Sequence, residues 1–361
     1  MTVTLVNGIL LFETGSNRLL KKIDDVASKS PVVWSPDNTM FAIEGLDYDI
    51  IVYDGEQGEI LKTFSGHYDS IRTIAWALDG HQLISVSEDL SLRYWDFQTD
   101  EQISQIDIDP NMINYVFDFV WSPNKDYFAT INSRNNTISV WGTNTGGLML
   151  SIDEKINSIS WSPDGTHFVS GSETGNLQIW NVLEQTDKKE VEISSNPIGT
   201  VAWSPDGKLI AAYDNVGEIR IWDIESNILL NNFVLFDPIK GFSWSPDSKI
   251  IAFVDVNGTA RIWDLEIGKE IILPKELVQI DHLLWTKEGD AIFIGNNVGE
   301  LQQWDLLTDE VKDIIRWNFG TSIQPKWSPD GKFLSLATNA GVVHIYDFAA
   351  KYIMNLFKLL D

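Results

Sequence analysis

Several features that would define a function are missing from this sequence or scarce in it. No cysteine is present, which excludes disulfide bridges and thiolate chemistry and fits a reducing compartment. Neither a run of about 18 apolar residues nor a basic N-terminus followed by an apolar stretch occurs, so no membrane span and no signal peptide is predicted. We therefore expect a cytoplasmic protein that does not contact membranes.

Basic residues are also scarce relative to acidic ones. The 26 Lys and Arg stand against 52 Asp and Glu, which gives a formal net charge of −26. A surface of this sign repels phosphate backbones, so we expect no direct binding to nucleic acid. The acidity favours a basic protein or peptide partner, and solubility alone is the alternative explanation.

Motifs for catalysis and for metal or cofactor binding are not found. The histidines other than His67 lie apart, with no spacing suited to zinc: His81, His167, His282 and His344. No glycine loop ends in Gly-Lys-Ser/Thr, and "DIDPN" at residues 107–111 lacks the Gly and the distal Glu of a calcium loop. The sequence thus predicts no catalytic residue, no metal and no cofactor, and the protein is not expected to be an enzyme.

Tryptophan, in contrast, is abundant and regularly spaced. Fourteen of the 15 tryptophans fall in two columns that repeat every 39 to 46 residues. The first column is Trp34, Trp76, Trp121, Trp161, Trp203, Trp244, Trp285 and Trp327. The second is Tyr53, Trp95, Trp141, Trp180, Trp222, Trp263, Trp304 and Tyr346. A fixed period of this length indicates an array of supersecondary units.

One unit illustrates the local structure of all of them. In residues 201–223, "VAWSPDGKLIAAYDNVGEIRIWD", a short apolar strand runs into Ser204-Pro205-Asp206-Gly207, whose residue types suit a type I turn. Two more strands follow around a second turn, and Ile228 to Phe233 is predicted to be the fourth strand. Four short antiparallel strands cannot bury their own faces, so each unit requires neighbours on both sides.

The repeated phrases resemble those of the WD-repeat β-propeller family. "WSPDG" recurs three times and "IWD" twice, with looser versions in other units, so the resemblance covers nearly the whole chain. It implies four-stranded blades arranged radially around a channel, with the first strand innermost. It also implies a monomeric ring and a protein-interaction scaffold without catalytic activity.

The units divide the chain into two parts. Residues 1–24 form a partial repeat, and residues 25–361 contain eight complete units. We therefore expect an all-β fold with a single eight-bladed propeller, the alternatives being rings of seven or nine blades. Two closures remain open: Arg18 to Ile23 completes the last blade, or the C-terminal strand Tyr352 to Leu359 keeps that place and the N-terminal strands add to an edge.

The second unit contains the strongest group of polar side chains. By the family resemblance, His67, Ser85, Asp89 and Trp95 form a buried hydrogen-bonded chain in which His67 lies between Ser85 and Asp89. Ser, His and Asp together also suggest a catalytic triad, but Trp95 and the repeat spacing favour the structural network.

Two long loops interrupt the repeat on the face that, in this family, holds partners. One loop, residues 106–116, contains an insertion, and the other, residues 314–325, contains the one tryptophan outside the two columns. The candidate partner-binding residues are Tyr68, Asp69, Met112, Tyr115, Phe236, Trp317 and Phe319, with Asp107, Asp109 and Asp237 around them. Aromatic anchors with a charged rim are typical of binding hot spots. Packing of Trp317 between blades is the alternative.

Two function classes follow. The first is a scaffold that binds a protein or peptide on this loop face. The second is a sensor or recognition domain of a larger signalling or defence assembly.

Overall fold

The structure is a computed structural model. It describes residues 2–5, 8–12, 19–24, 32–37, 39–77, 80–99, 101–107, 116–124, 126–132, 138–143, 147–184, 188–234, 237–274, 277, 279–296, 300–316, 323–327, 333–338, 343–347 and 352–355. Over these residues the chain is built from strands and turns, without a helix. The predicted all-β class is confirmed.

The first fifteen strands form one three-stranded sheet and three four-stranded sheets, each made of consecutive strands. The three-stranded sheet contains β1 (Thr2–Leu5), β2 (Gly8–Phe12) and β3 (Leu19–Asp24). The four-stranded sheets contain β4 (Val33–Trp34), β5 (Met40–Glu44), β6 (Ile50–Asp54) and β7 (Ile60–Phe64); β8 (Ile71–Trp76), β9 (Gln82–Ser87), β10 (Ser91–Asp96) and β11 (Glu101–Asp107); β12 (Val116–Trp121), β13 (Tyr127–Asn132), β14 (Ile138–Gly142) and β15 (Leu148–Ile152).

Five more four-stranded sheets follow in the described part of the chain. Their strands are β16 (Ile156–Trp161), β17 (His167–Ser172), β18 (Asn176–Asn181) and β19 (Lys188–Glu192); β20 (Ile198–Trp203), β21 (Leu209–Asp214), β22 (Glu218–Asp223) and β23 (Ile228–Val234); β24 (Ile239–Trp244), β25 (Ile250–Asp255), β26 (Ala260–Asp264) and β27 (Lys269–Ile271); β28 (Ile280–Trp285), β29 (Ala291–Asn296), β30 (Glu300–Asp305) and β31 (Val311–Arg316); β32 (Ile323–Trp327), β33 (Phe333–Thr338), β34 (Val343–Asp347) and β35 (Tyr352–Asn355).

The turn between the first and second strands of a sheet is fixed by its own side chains. The N–H of Gly207 donates to the carbonyl of Ser204 over 3.0 Å, and Gly207 has a φ of 77°, which glycine adopts without strain. The Ser204 hydroxyl donates to Asp206 and accepts from the N–H of Leu209. The same serine-to-Asx hydrogen bond recurs at Ser35 and Asp37, Ser122 and Asn124, and Ser245 and Asp247. Local chemistry therefore sets the first hairpin of each unit.

First-column tryptophans connect sequential sheets. The indole N–H of Trp76 on β8 donates to the carbonyl of Val33 on β4, and that of Trp244 on β24 donates to the carbonyl of Ala202 on β20. In both cases the acceptor is the residue just before the preceding first-column tryptophan. Trp203 instead donates to the carbonyl of Gly207 in its own turn, so the bond between sheets is made by some members of the column.

The chain divides into two compact units. The first comprises residues 1–156, 164–167 and 181–187, and the second comprises residues 157–163, 168–180 and 188–361. In the first, one core cluster joins the sheets β4–β7 and β8–β11 through Val52, Ile74 and Trp95. In the second, another joins β24–β27 and β28–β31. Within each unit the sheets bury their faces against neighbouring sheets, as the repeat predicts.

The strand that pairs with β34 distinguishes between the two closures of the last sheet. β35 pairs with β34, so the C-terminal strand is the fourth strand of the last sheet. β3, which contains the segment proposed as the closing strand, pairs with β2 in the three-stranded sheet. Completion of the last sheet by Arg18 to Ile23 is therefore wrong, because the C-terminal strand occupies the edge of β34.

Candidate functional site

The second four-stranded sheet brings His67, Ser85, Asp89 and Trp95 together. Nδ1 of His67 lies 2.7 Å from an Asp89 carboxylate oxygen, and Nε2 lies 2.7 Å from the Ser85 hydroxyl. The indole N–H of Trp95 donates to the same hydroxyl over 2.9 Å. The side chains of His67 and Asp89 are fully buried. The polar groups thus form one chain from the indole to the carboxylate.

The partners define the protonation states in this network. An ionised Asp89 can only accept, so Nδ1 of His67 donates to it and Nε2 accepts the Ser85 proton. Burial lowers the pKa of His67 more than the Asp89 carboxylate raises it, so the imidazole is neutral. Burial alone would raise the pKa of Asp89, but hydrogen bonds from Ser91 and His67 outweigh it and hold the pKa below its usual value.

Three further polar side chains extend the network beyond the predicted four. Ser91 donates both its backbone N–H and its hydroxyl to Asp89, at 2.9 and 2.6 Å. The guanidinium of Arg93 donates to the Ser91 hydroxyl and to Gln102 and lies 3.7 Å from Asp89. The sequence contains a signal for Arg93, because it alternates with Trp95 along β10 and so shares its face.

The geometry does not suit nucleophilic catalysis at Ser85. The residue is fully buried, and its hydroxyl contacts both the indole of Trp95 and the imidazole of His67. A substrate therefore has no route to its oxygen in this arrangement. The network is built to satisfy buried polar groups.

Other sheets retain parts of this arrangement. The indole of Trp141 donates to the Thr130 hydroxyl, and that of Trp180 donates to the Ser170 hydroxyl. No acceptor among the described residues lies within hydrogen-bonding distance of the buried indole nitrogens of Trp222 and Trp263. Some sheets thus keep the second-strand hydroxyl that accepts the indole N–H without the His and Asp of the full network, and others lack this hydroxyl as well.

Tyr68 and Asp69 follow His67 directly and lie at the surface. The side chain of Tyr68 is 71% exposed, while its hydroxyl donates to the Asp89 carbonyl and its N–H to the Asp89 carboxylate. Asp69 accepts the N–H of Ser70. The Tyr68 ring is therefore held in place by the buried network and presented to solvent.

An acidic and apolar surround lies beside this ring. The buried Glu44 at the end of β5 accepts the N–H of Ile71 at the start of β8 over 2.7 Å. This bond connects the β7–β8 loop to the turn that follows Glu44, where Leu46 and Tyr48 are exposed. Burial and the nearby Glu88 and Asp69 carboxylates raise the pKa of Glu44. The exposed Leu46 and Tyr48 were not predicted from the sequence, since the repeat leaves this turn without a fixed residue type.

The other candidate partner-binding residues are not among those that the structure describes. Met112, Tyr115, Phe236, Trp317 and Phe319 lie outside the described residues, as does Asp109. Asp237 is exposed, and Asp107 ends β11. The structure therefore places Tyr68 and Asp69 of the predicted set, and the remaining aromatic residues stay a prediction.

Neither a metal site nor a membrane span is found in the part of the chain that the structure describes. No group of three or more His, Asp or Glu side chains there could hold an ion. No described helix could cross a membrane.

Comparisons with known proteins agree on one family of repeats. A model of the WD domain, G-beta repeat, matches residues 58–96 and 234–264, and a model of the eukaryotic translation initiation factor eIF2A matches residues 93–221. Protein FIZZY-RELATED 2 of Arabidopsis thaliana is 26% identical over 175 residues, which are 46% of this chain and 35% of that protein. The match thus spans about a third of the relative's length.

Solved structures support the fold. The C-terminal WD40 domain of Sif2 is 16% identical, with a TM-score of 0.55 over 84% of this chain and 91% of its own. Sqt1 of Chaetomium thermophilum, bound to the N-terminus of the ribosomal protein L10, is 16% identical, with a TM-score of 0.63 over 88% of this chain and 95% of its own. At this level of identity the likeness establishes the fold alone.

Proposed function

Because the chain belongs to the WD-repeat β-propeller family, we propose that it is a non-catalytic scaffold that binds a protein or peptide on its loop face. This face carries the loops between sheets and the turns between the second and third strands. The observation that carries the proposal is Tyr68, an aromatic ring that is 71% exposed and yet hydrogen-bonded at both its N–H and its hydroxyl.

Preorganisation is the physical reason why Tyr68 suits binding. A tyrosine held in one conformation loses little side-chain entropy when a partner covers it. The buried His67 and Asp89 hold its backbone, so the ring stands on a rigid base. Leu46 and Tyr48 are exposed in the turn that the bond between Glu44 and Ile71 connects to the β7–β8 loop, and they add apolar area to this face.

Charge indicates the class of partner. Asp69 lies in the β7–β8 loop with Tyr68, Glu88 lies in the β9–β10 turn beside Asp89, and the chain as a whole carries −26. Arg72 is the nearby cation, and it lies 3.4 Å from Glu88. A basic segment with an apolar side chain fits this combination, because it neutralises the rim while covering the ring.

The architecture proposed for this scaffold is one closed, monomeric ring in which the eight four-stranded sheets are the blades. The Sif2 and Sqt1 similarities and the regular strand order support it. A crystal structure together with sedimentation equilibrium tests the proposal. Seven or nine blades, or a stable dimer, would overturn it.

The binding proposal is tested after a partner has been identified by affinity capture and mass spectrometry. Tyr68→Ala is expected to cost about 2 kcal/mol, or roughly 30-fold in Kd, mainly through faster dissociation. The matched control is Leu183→Ala, because Leu183 is an exposed aliphatic side chain that follows the third strand β18 rather than the second. Surface plasmon resonance with both variants measures the effect.

Two further arms separate the contributions of charge and of the undescribed aromatic residues. Raising the salt concentration from about 0.05 to 0.5 M should slow association, since it screens the exposed carboxylates. Trp317→Ala should speed dissociation and leave the melting temperature nearly unchanged. Salt-independent association, together with full tolerance of both aromatic substitutions, would show that the partner binds elsewhere.

A further inference from the structure

β23 differs from the other outer strands because it combines length, apolar exposure and a lack of charge. Four of its seven residues are large hydrophobic side chains between 40 and 56% exposed: Ile228, Leu229, Leu230 and Val234. Its sequence, ILLNNFV, contains no charged residue. An edge of this kind is normally avoided in folded proteins, because unpaired backbone groups beside apolar side chains attract another strand.

The other outer strands show how such an edge is usually protected. Charged residues lie within β7, β11, β19, β27 and β31, with Lys62 on β7 and Lys188 on β19 as examples. β15 and β35 are uncharged but shorter, with five and four residues, and among the large hydrophobic side chains of β15 Leu148 is the exposed one. The exposed apolar edge of β23 is therefore a local feature and does not follow from the repeat.

The register of β23 places two of its exposed side chains, Leu229 and Val234, on one face. Leu229 pairs with Trp222 and Val234 pairs with Glu218, and the two partner residues lie four apart on β22, so they share one face. The edge of β23 away from β22 carries backbone groups that no strand of this sheet pairs with, because the sheet order ends at β23. An added strand would find both hydrogen-bonding groups and apolar contacts there.

Charges at both ends of the strand favour one kind of added strand. Asp223 pairs with Ile228 at one end and Glu218 pairs with Val234 at the other, and Glu225 is exposed in the turn before β23. Three cations lie nearby: Arg220 is paired with Asp214 and Glu218, Lys189 donates to a backbone carbonyl, and Lys208 interacts electrostatically with Asp223. The acidic ends and the net charge of −26 oppose pairing with a second copy of this chain and favour a basic segment.

From these observations we infer that β23 is a docking edge for an extended, basic peptide segment of a partner protein, which adds to the sheet β20–β23 as a fifth strand. The segment alternates apolar and basic residues, with the apolar ones on the Leu229 and Val234 face. This surface is separate from the Tyr68 face and does not depend on the function proposed for it.

The test uses a synthetic peptide of alternating Lys and Val, about seven residues long to match β23, with blocked ends and a fluorescent label. Fluorescence anisotropy is expected to show saturable binding to the full chain. Two peptides are compared, one methylated at its odd-numbered backbone amides and one at its even-numbered amides. One of the two should bind at least about tenfold more weakly, because it loses the amide hydrogen bonds of strand addition. Replacing Lys by Glu in the peptide should abolish binding.

Variants of the protein locate the site. The double variant Leu229→Thr with Val234→Thr keeps strand propensity and removes the apolar contact, so we expect at least about tenfold weaker peptide binding. Leu307→Thr is the matched control, since Leu307 is a more exposed aliphatic side chain on a turn, and it should bind as the parent does. Tyr68→Ala should also bind the peptide normally, which separates this proposal from that of the loop face.

Three outcomes would overturn the inference. Binding that is insensitive to backbone methylation on either alternation would mean that the peptide is held by charge alone. Equal loss in the Leu307→Thr control would place the site elsewhere. Self-association seen by sedimentation, and abolished by the Leu229 and Val234 substitutions, would assign the edge to a second copy of the chain.

Discussion

The indole of Trp222 provides a sharp test of how the sheets are stabilised. Trp95 and Trp180 each donate to a serine hydroxyl on the preceding strand over 2.9 Å. The corresponding residue on β21 is Ala212, which pairs with Arg220 as Ser85 pairs with Arg93. The substitution Ala212→Ser should therefore supply the acceptor that Trp222 lacks among the described residues.

The expected size of the effect follows from one buried hydrogen bond. A new bond of this kind contributes about 0.5–1.5 kcal/mol to the free energy of unfolding. The added hydroxyl also needs an acceptor, since leaving its proton unpaired would cost about 1–3 kcal/mol. In the sheet β16–β19, the Ser170 hydroxyl lies 3.5 Å from the carbonyl of Gln178. The equivalent residue opposite Ala212 is Arg220, whose carbonyl is the corresponding acceptor for the new hydroxyl. We therefore expect a net stabilisation of about 0.5–1.5 kcal/mol.

Urea unfolding followed by tryptophan fluorescence measures this difference, provided that the slope m stays constant between variants. The control is Ala211→Ser, which places a hydroxyl at the neighbouring buried position on the other face of β21. That variant should lose stability, because its hydroxyl is buried away from the Trp222 indole. If Ala212→Ser is no more stable than Ala211→Ser, the indole does not need the acceptor and the argument is refuted.

Three further predictions concern buried hydrogen bonds: two concern His67 in the polar network, and one concerns Ser170 in the sheet β16–β19. His67→Ala should lower the free energy of unfolding by about 1–3 kcal/mol, since it removes a partner of both Ser85 and Asp89, and a thermal melt equal to that of the parent would contradict this. Because burial lowers the pKa of His67, the unfolded chain takes up a proton near pH 6.5 while the folded chain does not. The contribution of His67 to stability is therefore complete above that pH and falls as the pH decreases towards the folded pKa. His67→Gln should flatten this dependence in thermal melts between about pH 7.5 and 5.5. Ser170→Ala should destabilise the protein by about 1–3 kcal/mol through the Trp180 indole, and urea unfolding would contradict the role of the hydroxyl if the midpoint did not move.

The sequence predicts the parts of the fold that short segments decide. The turn at Ser204 to Gly207 forms from its own residue types, so the quoted phrase was enough to place it. The strand order also follows, because short turns leave each strand beside the next. The four-residue network around His67 was predicted from the resemblance to the WD-repeat family, which implies the hydrogen-bonded chain at these places of one repeat.

Contacts between elements that do not follow the repeat were not predictable. The sequence does not decide whether β35 or β3 pairs with β34, because both segments contain residues suited to a strand. The partners of Arg93 depend on side-chain directions that the sequence fixes only in part. Exposure of Leu46 and of the β23 side chains is a property of packing, since apolar residues at these places would be equally consistent with burial.

Two kinds of contact hold the second-column rings in different sheets. In the second sheet Leu83 pairs with Trp95, and the polar network lies beside them. In three sheets that lack a counterpart of His67, a phenylalanine takes the place of Leu83 and stacks on the third-strand ring, as Phe128 does on Trp141 at 6.3 Å and 13°. Such a pair contributes about 0.5–1.5 kcal/mol beyond the area that it buries. An aromatic stack is thus of the same size as the hydrogen bond that it accompanies or replaces.

The sheet β20–β23 has neither contact. Ile210 pairs with Trp222, so no ring stacks there, and Ala212 supplies no hydroxyl. Its stability therefore depends on aliphatic packing of Ile210, Ala212 and their neighbours in the shared core cluster. The outer strand of this sheet, β23, leaves four large hydrophobic side chains exposed. An added strand would supply the sheet with backbone hydrogen bonds and apolar contacts on its weak side, so binding at the edge and stability of the sheet are coupled through the same residues.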